Sequence, residues 1–146
     1  MLVPMGSTDF DEQAVTARVR AIFGTAAYMN ALGVALVRVG PGLCETMLSV
    51  RPDHLQHHGY VHAAVTAAIG DHTAGGAAAT LAPEGHDVLT SEYSIHLLRP
   101  GTGNEVRCLA KVLKPGRMLS VVESEVSVDG TLVAKLTATL AIVTSR

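Results

Sequence analysis

From residue 132 to residue 142 every second position is apolar: Leu132, Ala134, Leu136, Ala138, Leu140 and Ile142. Thr131, Lys135, Thr137 and Thr139 occupy interleaved positions. A period of two with one apolar face predicts a strand half-buried against a core. Residues 104–114 alternate in the same way, with Val106, Cys108, Ala110 and Val112 set against Glu105, Arg107 and Lys111. Lys114-Pro115-Gly116 turns this strand into another over 117–128. Asp129-Gly130, between that strand and the last, is the strongest hairpin signal in the chain. With the segment containing Thr90-Ser91-Glu92-Tyr93-Ser94-Ile95, four long strands fill the C-terminal part of the sequence.

Upstream the period changes. Val15, Val19, Ile22 and Phe23 recur at helical spacing, with Ser7, Thr8 or Asp9 as candidate caps and Gly24 and Asn30 as stop signals. Residues 1–8 read as a loose tail. Two β-branched stretches around the Gly40-Pro41-Gly42 turn predict a pair of strands, and Arg51-Pro52-Asp53-His54 predicts a loop. An Ala-rich apolar run then predicts a long helix from about Val61 to Leu81, ended by Pro83-Glu84-Gly85. Its glycines at 70, 75 and 76 each lower helix propensity by roughly 1 kcal/mol relative to Ala, and they allow close approach to whatever covers the helix. The order is helix, two strands, long helix, four strands. Tight turns force consecutive strands antiparallel. One long helix on a wide antiparallel sheet is an α+β layout, read as a single domain over residues 9–146.

Composition narrows the function classes. The chain has 146 residues, 48% apolar and 16% charged, which fits one folded domain with a core. Net charge is −2, with three Tyr and two Phe. That leaves no basic, aromatic surface for nucleic acid. Cys44 and Cys108 stand far apart with no disulfide-framework pattern. The N-terminal residues lack a basic region followed by an apolar block, and the apolar run at 61–70 is too short to span a bilayer. The reading is a cytoplasmic protein without a membrane partner.

Asp71 stands alone as a carboxylate within the apolar helix. A buried charge is costly, so it needs a partner or a chemical role. Pairing with a cation, or capping a helix broken at Gly70, would also satisfy it. Five histidines, His54, His57, His58, His62 and His72, cross the loop-to-helix junction. Their spacing matches no zinc motif, so no metal is expected.

The element order resembles the hotdog fold, in which a curved antiparallel sheet of five to six strands wraps one long central helix; here an N-terminal helix is added. The residues resemble the PaaI-like branch of the 4-hydroxybenzoyl-CoA thioesterase superfamily. Gln56 stands six residues before His62, Asp71 stands nine after it, and Thr90, Glu92 and Pro100 fit the strand motif of that family. The departure is Ala63-Ala64, where the family usually has Gly-Gly.

This resemblance implies an acyl-CoA thioesterase. It makes Asp71 the general base or nucleophile and gives Thr90 a part in positioning water. A hotdog hydratase acting on enoyl-CoA and a non-catalytic acyl-CoA-binding hotdog protein are the alternatives. The oxyanion of a thioester needs hydrogen-bond donors, and free amides at the start of the long helix, those of Ala63 and Ala64, would supply them. Gln56 would add a donor or hold the water. His62 reads either as a participant or as a helix-entry residue that bonds backbone. Arg99, Lys114 and Arg117 are candidates for the phosphates of coenzyme A, which is part of the substrate; no other cofactor is expected. Ala63 and Asp71 are eight residues apart, about 12 Å along a helix at ~1.5 Å per residue. They cannot both reach one carbonyl carbon, so a homodimer or homotetramer with sites shared between subunits is expected.

Overall fold

The structure, a computed structural model, describes residues 11–146. Two helices, α1 (Glu12–Thr25) and α2 (Ala27–Leu32), precede the strand pair β1 (Ala35–Gly40) and β2 (Leu43–Ser49). A short 3-10 turn at Pro52–His54 leads to the long helix α3 (Ala63–Ala79). Four strands follow: β3 (His86–Leu97), β4 (Glu105–Lys114), β5 (Leu119–Val128) and β6 (Thr131–Thr144). All pairings are antiparallel, in the order β1-β2-β4-β5-β6-β3. The sheet wraps α3 in the expected hotdog arrangement.

The alternation read from the sequence sets the core. Val106, Cys108, Ala110, Val122, Val126, Ala134, Leu136, Ala138 and Leu140 are all buried, and they meet Val65, Ile69, Ala74 and Ala77 of α3. At the β5–β6 turn Asp129 and Gly130 both adopt positive φ, 46° and 81°, as a two-residue type I′ hairpin requires. Two of the α3 glycines are packing residues. A Cβ on Gly70 would lie 3.2 Å from Leu136 Cδ1, and one on Gly76 would lie 2.7 Å from Cys44 Sγ. The sheet also holds α3 by hydrogen bonds. Ser124 Oγ donates to Gly70 O at 2.8 Å, and Thr73 Oγ1 donates to Ile69 O while pairing with Thr46 Oγ1 at 2.7 Å. Cys44 and Cys108 are buried free thiols, each pushed up to about 12, chiefly by desolvation.

The first helix is capped by Asp11, whose carboxylate accepts from Ala14 N–H at 3.0 Å. The sequence candidates Ser7, Thr8 and Asp9, and the tail at 1–8, lie outside the described residues. Val19 and Phe23 bury α1 against the core. Arg18 reaches the end of α3, donating to the carbonyls of Ala79, Ala82 (2.8 Å) and Pro83 (3.4 Å). These carbonyls include ones that a helix C-terminus leaves unpaired.

Cross-strand partners share a face, so β3 can be oriented from its register with β6. Val88 pairs with Ile142 and Thr90 with Leu140; after an irregularity at Ser91, Tyr93 pairs with Ala138 and Ile95 with Leu136. The extra residue keeps Thr90 and Tyr93 both on the face toward α3 and sends Glu92 to the outer face. β3 pairs with β6 along one side, so among the described residues its other edge is unpaired.

Candidate active site

The start of α3 is built by the turn before it. Gln56 N–H donates to Tyr60 O at 2.8 Å, Gly59 N–H to Gln56 O at 2.9 Å, and Val61 N–H to Gly101 O at 2.9 Å. The Gln56 Oε1 accepts from His58 N–H. With its oxygen held, the amide end that remains free on Gln56 is the donor, Nε2. His62 is the N-cap of α3: its Nδ1 accepts from Ala64 N–H at 2.9 Å, and its carbonyl accepts from Val65 and Thr66. An accepting Nδ1 carries no proton, so in the neutral ring the proton is on Nε2.

This cap changes the oxyanion picture. Sequence reasoning offers both Ala63 and Ala64 as donors, but the His62 ring already uses Ala64. Ala63 N–H has no acceptor among the described residues, and it sits at the positive end of a 17-residue helix. Gln56, His62 and Ala63 line one cavity of about 480 Å³ with Tyr60, Thr66 and Arg99. Pro100 and Gly101 form part of its wall, with Leu97 and Val133 among the apolar residues beside them.

Asp71 lies two turns further along α3, at a second cavity of about 410 Å³. Thr90 Oγ1 donates to Asp71 Oδ1 at 2.7 Å across the gap between helix and sheet. The carboxylate is half-exposed and keeps its second oxygen free of protein partners among the described residues. His72, its neighbour, turns toward α1 and packs its ring on Phe23 with centroids 4.2 Å apart. Its Nε2 is buried without a hydrogen-bond partner among the described residues. Burial holds the His72 pKa below the usual imidazole range, with the Asp71 charge pulling the other way.

The expected residues therefore fall into two groups. Gln56, His62, Ala63 and Arg99 gather at the start of α3; Asp71 and Thr90 gather at its middle. Within one chain the two groups do not meet. Lys114 ends β4 and Arg117 lies in the turn that follows, at the opposite end of the sheet from Arg99. The nine steps along β4 that separate these ends span roughly 30 Å. The histidines also disperse. His54 is buried, accepting from Arg51 N–H at 3.0 Å and bonding Leu32 O at 2.8 Å, while the His57 and His58 rings meet at a 45° tilt in the exposed turn. Among the described residues no three His, Cys, Asp or Glu side chains are placed to hold a metal ion. No helix among them is long and apolar enough to cross a membrane.

The model of the thioesterase superfamily matches residues 58–135, more than half of the chain. The chain belongs to the thioesterase superfamily. As a member it is a thioester hydrolase. The matched stretch includes His62, Ala63, Asp71, Thr90, Arg99, Lys114 and Arg117, and Gln56 falls just before it. Among solved structures, a thioesterase family protein from Silicibacter pomeroyi is 31% identical, covering 90% of this chain and 99% of its own, with a TM-score of 0.87. The phenylacetic acid degradation protein PaaI from Thermus thermophilus is 29% identical, covering 79% of this chain and 97% of its own, with a TM-score of 0.72. A phenylacetic acid degradation-related protein from Ralstonia eutropha, described as a putative thioesterase, is 25% identical over 87% of this chain and 98% of its own, with a TM-score of 0.78. These likenesses bear out the PaaI-like resemblance seen in the sequence. No curated protein matches the chain.

Proposed function

We infer that the protein hydrolyses acyl-CoA thioesters, with Asp71 as the reacting carboxylate and each site shared between two subunits. The observation that carries this reading is the pairing of Asp71 with Thr90 in one cavity while Ala63 N–H, Gln56 and His62 line another. Each cavity holds half of what thioester hydrolysis needs.

The position of β3 supports the sharing. Val88, Leu89 and Thr90 line the Asp71 cavity near one end of this strand, and Leu97 lines the Ala63 cavity at the other. The unpaired edge between them exposes Leu89 (60%), Tyr93 (43%) and Leu97 (55%). A long apolar edge of this kind calls for a cover. If two copies pair β3 to β3 about a two-fold axis, the strands run antiparallel, and the start of one lies beside the end of the other. That arrangement sets the Asp71 cavity of one subunit against the Ala63 cavity of its partner, twice. The same operation brings Arg99 of one subunit to the sheet end that carries Lys114 and Arg117 of the other. Three cations would then flank each site where coenzyme A phosphates enter.

In this site the thioester carbonyl oxygen points at Ala63 N–H, where negative charge is stabilised as it develops. Gln56 Nε2 donates a second hydrogen bond to the carbonyl or to the water. Thr90, whose O–H donates its hydrogen bond to Asp71, accepts one from that water through its oxygen lone pairs. Asp71 takes a proton from the water as it adds to the carbonyl carbon, and the proton then goes to the departing CoA thiolate. Direct attack by Asp71, with water hydrolysing the resulting anhydride, uses the same placement. On this reading the protein works in the cytoplasm as a homodimer or a pair of homodimers, with no cofactor beyond the CoA of its substrate.

A panel of acyl-CoA esters with a free-thiol readout tests the reading. Release of CoA by the parent, abolished in Asp71→Asn, is the expected result. Tight ester binding without release would make it a binding protein, and hydration of an enoyl-CoA without thiol release would make it a hydratase.

A further inference from the structure

The Asp71 cavity extends past the reacting pair. Gly75 lies one helical turn beyond Asp71 on the same face of α3, and Ile22 of α1 and Val88 and Leu140 of the sheet enclose the space beside it. Apart from Asp71, Thr90, His72 and Asp87 the lining is apolar. At about 410 Å³ the cavity is within the ~300–1,000 Å³ range of small-molecule pockets.

Adjacent glycines on α3 differ in what they permit. Gly76 has no room: a Cβ there would lie 2.7 Å from Cys44 Sγ and 3.1 Å from Phe23 Cε2. At Gly75 the nearest atom to an added Cβ is Leu140 Cδ2 at 3.9 Å, and its φ is not positive. Neither packing nor backbone geometry requires glycine at 75, and in an Ala-rich helix glycine lowers helix propensity. What its missing side chain provides is open volume beside Asp71.

A thioester that reacts at Asp71 places its acyl group beside that carboxylate; we propose that Gly75, with Ile22 opposite, sets how large an acyl group this space accepts. The proposal rests on the catalytic reading above and adds its substrate class. A straight chain and an aryl ring share the required chemistry, and the assay separates them.

The test measures kcat/KM for acetyl-, butanoyl-, octanoyl- and benzoyl-CoA in the parent, Gly75→Ala, Gly75→Leu and Ile22→Phe, with Tm as the check on folding. For Gly75→Leu the ratio of octanoyl or benzoyl to acetyl turnover should fall about tenfold or more, the scale on which a pocket discriminates by size. Gly75→Ala should move the ratio the same way by less, with a Tm at or above the parent's. Ile22→Phe should act from the opposite wall, and with Gly75→Ala it decides the matter if Gly75→Leu does not fold. Loss centred on octanoyl identifies a straight-chain pocket, and loss centred on benzoyl an aryl pocket; either supports the proposal. An acyl profile unchanged from the parent's overturns it. So does an equal loss on every ester, which is what a damaged subunit contact would give. An active parent with an unaltered profile in all variants overturns only the pocket assignment, whereas a parent that releases no thiol overturns the catalytic reading as well.

Discussion

The Thr90 hydroxyl donates a hydrogen bond to Asp71 across 2.7 Å, joining an edge strand of the sheet to the middle of the central helix. The bond fixes one carboxylate oxygen and leaves the other facing the cavity. Asp71→Asn keeps the shape and removes the carboxylate. Thiol release should fall by roughly 10²–10⁴-fold in kcat, the usual worth of a positioned general base. Thr90→Val should cost less, because the carboxylate remains but loses its orientation. Equal and complete loss in both, with unchanged Tm, would mean that the pair acts differently.

Ala63 is the first residue of α3, and its N–H is free among the described residues. Proline is accepted at this helix position, and His62 before it already has extended backbone, φ −62° and ψ 136°, as a residue before proline prefers. Ala63→Pro therefore deletes one proton donor and little else. Its kcat should drop about 10²–10³-fold, as when an oxyanion donor is lost, with Tm close to the parent's. His62→Ala should do the reverse in emphasis, losing about 0.5–2 kcal/mol of stability with the cap, and His62→Asn should restore part of it. Denaturant unfolding and steady-state kinetics separate the two effects.

Burial depresses the His72 pKa below its unfolded value of 6.5, with Asp71 opposing. Below pH 6.5 the unfolded chain takes up this proton before the folded one does, so the group destabilises the fold increasingly until its folded pKa is passed. Above pH 6.5 the stabilisation is fully present. The Tm of the parent should accordingly fall more steeply than that of His72→Phe as pH drops below 6.5. Parallel Tm profiles for the two proteins would show that His72 does not carry this dependence.

Gly75 and Gly76 make a paired test of helix packing. Gly76→Ala forces a methyl into Cys44 and Phe23 and should cost about 1–3 kcal/mol, as overpacking does. Gly75→Ala meets only Leu140 Cδ2, at an ordinary contact distance of 3.9 Å, and should gain up to about 1 kcal/mol from helix propensity. Urea denaturation of both variants reads the difference directly.

What could be read in the sequence follows from which signals are local. The alternation over 132–142, the Asp129-Gly130 turn and the Ala-rich run are local patterns, and each became the expected element. The spacing of Gln56, His62, Asp71 and Thr90 picked out residues that line the two cavities, and the helical rise alone separated Ala63 from Asp71. Other features depend on tertiary contacts. α2 has six residues and no side-chain cap, and it packs inward through Met29. The Pro52–His54 turn holds a buried His54 between Arg51 and Leu32. The irregularity at Ser91 leaves no mark in the period of β3, yet it decides which face Glu92 takes. The capture of Ala64 by the His62 ring depends on a rotamer, which spacing does not specify. The lateral order of the strands, which puts β3 at an edge beside β6, is encoded by no pattern along the chain.

The central claim is that each site takes its carboxylate from one subunit and its oxyanion donor from the other. Ala63→Pro and Asp71→Asn chains, each inactive alone, should be unfolded together, refolded together, and the heterodimers isolated by distinct tags. In a heterodimer one site carries both defects and the other carries none, so kcat per heterodimer should recover to about half that of the parent dimer. Verified heterodimers that release no more thiol than either variant alone would contradict the shared site.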